Sequence, residues 1–128
     1  MSCEDHMPRT LVIASGYMDP LHIGHLDYLD KAKRLGDWLM VIVNNDIQAR
    51  QKKGYSFMPQ KERMRIVESI KPVDEVMLSI DENPSVCLSL AAIYQRRKHD
   101  FDLFIFGKGG DRYASNIPES KICYDYGI

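Results

Sequence analysis

The sequence predicts an α/β fold, a doubly wound parallel sheet in a single domain. Three observations predict it. Short unbroken apolar runs occur at residues 11–14, 38–43, 76–78 and 103–106. Stretches with helical spacing lie between them, so each run reaches the next through the kind of crossover that parallel strands require. The runs do not alternate polar with apolar residues, which is the pattern of strands covered on both faces. At 128 residues, with 45% apolar and 27% charged, the chain is long enough for one core and too apolar for a disordered tail.

Residues 1–9 are polar, contain Pro8 and show no period, so they read as a disordered lead-in to a domain over 10–128. The run at 11–14 is the first strand. A helix is expected over 23–35, with Leu26, Leu29, Ala32 and Leu35 on one stripe and Gly36 as its stop. The second strand is 38–43. The charge run Arg50-Gln-Lys-Lys53 then falls in a segment, 44–55, that reads as a loop. The second helix should run over 59–71, because Pro59 suits a first helical position, Arg63, Ile66, Val67 and Ile70 form a stripe, and Pro72 ends it. The third strand is 76–78. A third helix over 84–98 has Asn83 as a candidate N-cap, Val86, Leu90, Ala91 and Tyr94 facing inward, and cations at its close that complement the helix dipole. After the fourth strand, 103–106, a short helix should start near Pro118 and stop at Gly127. Right-handed crossovers complete the architecture.

Composition excludes several functions. Lys plus Arg is 17 and Asp plus Glu is 18, so the net charge of −1 gives no global field to hold nucleic acid or an anionic membrane, and any anion site must be local. The longest apolar run is six residues, too short to span a bilayer, and the first residues show no secretory leader. Three scattered cysteines read as free thiols in a reducing compartment, and the expected location is the cytoplasm.

In an open parallel sheet the ligand sits beyond the carboxyl ends of the strands, at the switch point. The segments to suspect are therefore 15–25, 44–55, 79–83 and 107–112. The first reads Ser15-Gly-Tyr-Met-Asp-Pro-Leu-His-Ile-Gly-His25, passing from a strand through a turn into a helix. Gly16 and Gly24 remove side chains where backbone and ligand approach. The helix entrance offers unpaired N–H groups and a positive dipole end, and His22 and His25, one turn apart, can address the same anion. Two histidines could also begin a zinc site, but no third ligand lies nearby. The glycine fingerprint of dinucleotide oxidoreductases and the P-loop spacing are both absent. In the segment after the second strand, Lys52 or Lys53 could reach a phosphate, and the sequence does not separate the two. Gly107-Lys-Gly-Gly-Asp-Arg112 lets backbone approach a ligand closely. Tyr55, Phe57 and Trp38 read as packing residues.

The stretch Gly16-Tyr-Met-Asp-Pro-Leu-His-Ile-Gly-His25 resembles the His-x-Gly-His signature of the cytidylyltransferase-like nucleotidyltransferases. Arg34-Leu-Gly-Asp37, Gln60-Lys-Glu-Arg-Met-Arg-Ile-Val67 and Val73-Asp-Glu-Val76 are similar to that family, and Lys108-Gly-Gly-Asp111 is similar to its heptose adenylyltransferases. The resemblance covers residues 12–128. It implies a Rossmann-like nucleotidyltransferase fold. It also implies transfer of a nucleoside monophosphate from ATP or CTP to a phosphorylated small molecule, such as a sugar phosphate or glycerol phosphate, with release of pyrophosphate. On this resemblance His22, His25, Lys53 and Arg63 are the expected catalytic residues. Gly16, Tyr17, Asp19, Gly24, Lys52, Gly107, Gly109 and Asp111 are expected to bind the nucleotide, and Asp19 and Arg112 the acceptor. Mg²⁺ is the implied cofactor, with Asp111 as its ligand, and a homodimer is the implied assembly. Family members usually continue into another strand and a Ser/Thr-rich segment that also binds phosphate. This sequence stops before them, either because the protein is naturally short or because part of it is not represented, and the first case leaves as an alternative a catalytically weakened nucleotide-binding or regulatory subunit of the same fold.

Overall fold

The computed structural model describes residues 9–107 and 119–128. Strands β1 (Thr10–Gly16), β2 (Trp38–Val43), β3 (Glu75–Leu78) and β4 (Leu103–Gly107) pair in parallel in the order β3-β2-β1-β4. Helices α1 (Ile23–Lys33), α2 (Asp46–Lys53), α3 (Gln60–Glu68), α4 (Cys87–Arg97) and α5 (Ser120–Tyr126) complete the described elements.

The twofold period of the strands divides the core into two layers. Leu11, Ile13, Met40 and Ile42 face one way and bury Val86, Leu90 and Ile93 of the α4 region, with Ile122 and Cys123 of α5 packed alongside. Val12, Ala14, Leu39, Val41 and Val43 face the other way, onto Leu29 and Ala32 of α1 and Val67 of α3. The sheet is thus covered on both faces, as its apolar runs predict. Gly36 serves a close approach as well as a stop: a Cβ there would meet Val12 Cγ2 at 2.7 Å and Thr10 O at 3.0 Å.

Several boundaries differ from expectation for local reasons. Helix α1 closes at Lys33, and Leu35 stays exposed. Helix α3 stops at Glu68, three residues short of the expected end. Asn83 does not cap α4; its carboxamide oxygen accepts from Ser85 N, while the carboxylate of the buried Asp81 takes the amides of Leu88 and Ser89 in the helix's first turn. Segment 44–55 contains the unexpected α2. Its start carries a capping box, in which Asn45 Oδ1 accepts from Gln48 N and Gln48 Oε1 accepts from Asn45 N, and Gly54, at φ 85°, ends it in the left-handed conformation.

Chain order reverses at β1, which leads to β2 on one side and has β4 on the other. The crevice beyond the carboxyl ends of β1 and β4 is therefore the switch point.

Candidate functional site

Just past β1, Tyr17, Met18, Asp19, Pro20, His22, His25, Lys52 and Lys53 line an open cleft of about 210 Å³. That is below the roughly 300–1,000 Å³ usual for a whole small-molecule ligand, so these walls hold part of one. The cleft unites six of the sequence-predicted site residues: Tyr17, Asp19, His22, His25, Lys52 and Lys53.

The two histidines build the helix entrance themselves. His22 is the N-cap of α1, and its Nδ1 accepts from Gly24 N at 3.1 Å. The Nδ1 of His25 accepts from His22 N at 3.0 Å, so the pair forms a capping box. A ring whose Nδ1 accepts must carry its proton on Nε2. Both imidazoles are therefore fixed as neutral tautomers, each with one N–H donor left for a ligand. Their centroids lie 3.9 Å apart. Burial, and then the repulsion that a proton on His22 would exert, hold the His25 pKa below its ordinary 6.5. The helix amides contribute less than expected, because Gly24 N bonds to His22 Nδ1, while His25 N and Leu26 N both reach His22 O. The glycines make room for protein here. A Cβ on Gly24 would meet Cε1 of His22 at 2.9 Å, and one on Gly16 would meet Cε of the buried Met18 at 2.8 Å.

The structure separates the two lysines. Lys53 Nζ donates to Asp19 Oδ2 and to Asp19 O, both at 2.7 Å. Lys52 has no carboxylate partner among the described residues, and its Nζ lies 4.4 Å from the ring centroid of Tyr17, a cation–π contact at the cleft.

Asp19 and Arg63 are both engaged by the protein's own groups. Both carboxylate oxygens of Asp19 are engaged by protein: Oδ2 by Lys53 and Phe57 N, Oδ1 by Met58 N. Burial is the largest single influence on this carboxyl and pushes its pKa up. The Lys53 hydrogen bond, the two amides and the Lys53 charge outweigh it, so the group sits below its ordinary value. Arg63 was expected among the catalytic residues. It is fully buried instead, with Nε donating to Met58 O (2.9 Å), NH1 to Tyr17 O (2.7 Å) and Asn44 O, and NH2 to Asp46 Oδ1 (2.7 Å). It ties together the chain leaving β1, the chain leaving β2 and the turn into α3. Helical spacing correctly turned Arg63 inward, but what awaits it there is backbone carbonyl.

Two contributors escaped the sequence reading. Asp46 receives Arg63 and Ser56 Oγ. Tyr28 of α1 stands at the switch point, where its hydroxyl accepts from Ser15 N and donates to Gly107 O, bridging the ends of β1 and β4; burial pushes its pKa to about 12. Tyr28 lies in the first helix and Asp46 in segment 44–55, both read for other features, and bonds to partners this far away along the chain leave no local signal. Of the remaining expected residues, Gly107 ends β4, whereas Gly109, Asp111 and Arg112 lie outside the described residues. Trp38 packs against the α4-side core, but Tyr55 and Phe57, read as packing residues, are exposed. No group of three or more potential metal ligands occurs among the described residues, and Asp19, the carboxylate at the cleft, is taken.

A doubly wound parallel sheet with its polar cleft at the carboxyl end of the first strand is the layout of an α/β nucleotide-binding domain. Residues 13–125 match the cytidylyltransferase-like family, and the chain belongs to that family. Among its relatives, the bifunctional protein HldE of Syntrophotalea carbinolica is 35% identical over 129 residues, covering 99% of this chain and 24% of that protein. The FAD synthase of Ferroglobus placidus is 43% identical over 72 residues, covering 56% of this chain and 47% of that protein. The chain thus spans under half the length of either. Among solved structures, the lipopolysaccharide core biosynthesis protein of Thermoplasma volcanium aligns with 82% of this chain and 99% of its own, at 24% identity and a TM-score of 0.60, a likeness of fold. No helix among the described residues is long and apolar enough to cross a membrane.

Proposed function

We propose that this protein transfers a nucleoside monophosphate from ATP or CTP to a phosphorylated small molecule and releases pyrophosphate. The observation that carries the reading is the meeting of two imidazole N–H donors and the Lys52 ammonium in one cleft beyond β1. Relatives named FAD synthase and HldE support it and weigh toward ATP.

In this reaction an oxygen of the acceptor phosphate attacks the α-phosphorus in line, the bond from the α-phosphorus to its bridging oxygen breaks, and that oxygen leaves with the pyrophosphate. The protein's task is to position and to neutralise. The His22 and His25 Nε2–H groups donate to phosphate oxygens, and Lys52 supplies the mobile positive charge. Lys53, Asp19 and Arg63 hold the walls in place. Mg²⁺ would screen the phosphate charge. The described residues offer it no unengaged carboxylate at the cleft, so it would arrive on the triphosphate.

The test is pyrophosphate release from ATP and CTP with Mg²⁺ across a panel of phosphorylated acceptors. The expected result is turnover with one pair, largely lost in His25→Ala. Absence of turnover with every pair, together with no thermal shift on adding tripolyphosphate, overturns the reading.

A further inference from the structure

The turn between α2 and α3 is pinned at nearly every residue. Gly54 closes α2 in the left-handed conformation. Ser56 Oγ bonds to Asp46 Oδ1 and Met58 O, both at 2.9 Å. Phe57 N and Met58 N are held by the enclosed carboxylate of Asp19, and Met58 O by Arg63 Nε. With the backbone fixed in this way, side chains alternate. Ser56 and Met58 turn toward the protein, whereas Tyr55 and Phe57 are left 58% and 61% exposed. Tyr55 and Phe57 are thus two aromatic side chains, two residues apart, presented to solvent by a turn whose backbone is already fixed.

Their position suggests the occupant. Tyr55 has its ring centroid 5.6 Å from Lys53 Nζ, and both Lys53 and Asp19, which grips Phe57 N, line the cleft. Tyr55 therefore stands beside a patch that carries imidazole donors and an ammonium, and the exposed Phe57 is anchored through its amide to the same cleft wall. The complement of that pairing is one molecule with a phosphate at one end and a flat apolar ring at the other. The turn follows β2 and leads into α3, on the side of β1 away from β4, whereas the switch point that suits a nucleotide's base lies between β1 and β4.

Resting on the proposed nucleotidyl transfer, we propose that Tyr55 and Phe57 form a stacking platform for the phosphorylated acceptor, and that the acceptor is therefore a phosphomonoester bearing a planar aromatic ring. A polyol phosphate would leave both rings in water. Stacking asks only for a π-face, so the platform sets the class of acceptor and leaves its identity to other contacts.

The test is isothermal titration of the full chain with Mg²⁺, saturated with the non-cleavable α,β-methylene analogue of ATP or CTP. The titrants are FMN and AMP as ring-bearing phosphomonoesters and ribose 5-phosphate as the ring-less one, with sedimentation run in parallel. FMN or AMP should bind roughly tenfold more tightly than ribose 5-phosphate. Tyr55→Ala and Phe57→Ala should each remove most of that advantage without altering ribose 5-phosphate binding, and Tyr55→Phe should keep it. Ribose 5-phosphate binding as tightly as FMN and AMP overturns the proposal. So do alanine variants that change only the sedimenting mass, since a second copy of the chain then covers the rings. If the nucleotide analogue and tripolyphosphate bind while neither ring-bearing titrant does, the platform alone is lost. If none of them binds, the nucleotidyl-transfer reading falls with it.

Discussion

Arg63 separates two explanations that sequence leaves entangled, a ligand for phosphate and a strut. Replacing it with alanine removes four donated bonds at once, to Met58 O, Tyr17 O, Asn44 O and Asp46 Oδ1. The Asn44 carbonyl is buried, and leaving such a group unpaired costs about 1–3 kcal/mol. Asp46 keeps Ser56 and has a quarter of its side chain in water, so it rehydrates in part. The void left by a fully buried side chain adds to the loss. Taken together these match the roughly 3–5 kcal/mol typical of breaking a buried pair by removing one partner. In a domain of this size about 4 °C of Tm accompanies each kcal/mol, so Arg63→Ala should melt about 12–20 °C lower. Arg63→Lys keeps the charge, but a compact ammonium cannot span four acceptors in a plane, so roughly half the loss should remain. The assay is thermal unfolding of both variants beside tripolyphosphate titration. A phosphate ligand in an open cleft would behave in the opposite way, since surface substitutions usually fall within about 0.5 kcal/mol. A Tm within about 2 °C of wild type, with tripolyphosphate binding weakened tenfold, would refute the strut.

Three further predictions address the cleft. Gly24→Ala should push the His22 ring aside, since its Cβ would lie 2.9 Å from Cε1; the helix gains about 0.5–1 kcal/mol from alanine and loses a cap worth about 1 kcal/mol, so Tm barely moves while pyrophosphate release falls at least tenfold. The two lysines should divide. Lys53→Met strands the Asp19 carboxylate and costs about 1–3 kcal/mol by thermal unfolding, whereas Lys52→Met leaves stability within about 0.5 kcal/mol and weakens tripolyphosphate binding roughly tenfold. The third concerns pH. The folded His25 pKa lies below 6.5, so the unfolded chain takes up the proton first. Its contribution to stability is constant above that value and is lost as pH falls below it. Asp19 and Asp46, both depressed below 3.8, lose their contributions only in stronger acid. Tm measured from pH 7 down to about 4.5 should therefore decline in wild type, and the decline should shrink in His25→Gln.

What the sequence made legible follows from the range of the forces involved. Apolar runs located the four described strands because burial on both faces leaves a composition that no loop needs. The stripe of α3 turned Arg63 inward because helical period is local. Helix α2 was also within reach: Asn45-Asp-Ile-Gln48 is a capping-box spacing, but the charge run behind it drew the reading toward a solvated loop. The roles of Asp19 and Arg63 were not legible. Their partners are backbone amides and carbonyls, which every residue carries and no letter of the sequence marks. Asp19 reaches Phe57 and Met58 across nearly forty residues, and Arg63 meets the chain leaving two different strands. A charged residue in a motif reads the same whether it faces a ligand or the protein's own main chain.

That ambiguity carries the physical logic of the cleft. Three segments converge where the chain leaves β1 and β2, and two backbone carbonyls there, Tyr17 O and Asn44 O, need donors. Arg63 is placed beside them and is consumed by them. Lys53 is consumed by Asp19, whose carboxylate in turn fixes the aromatic turn through two amides. Fixed charges are thus paired inside the walls, and among the described residues the face left toward a ligand carries neutral imidazole donors and the Lys52 ammonium. Neutral donors held by a helix cap lose little solvation when an anion arrives and need no proton uptake to receive it. An imidazolium pair 3.9 Å apart would repel itself, and each added proton at Nδ1 would break the cap that orients the ring. The same two residues therefore cannot serve as cap and cation together, and in this geometry they are the cap.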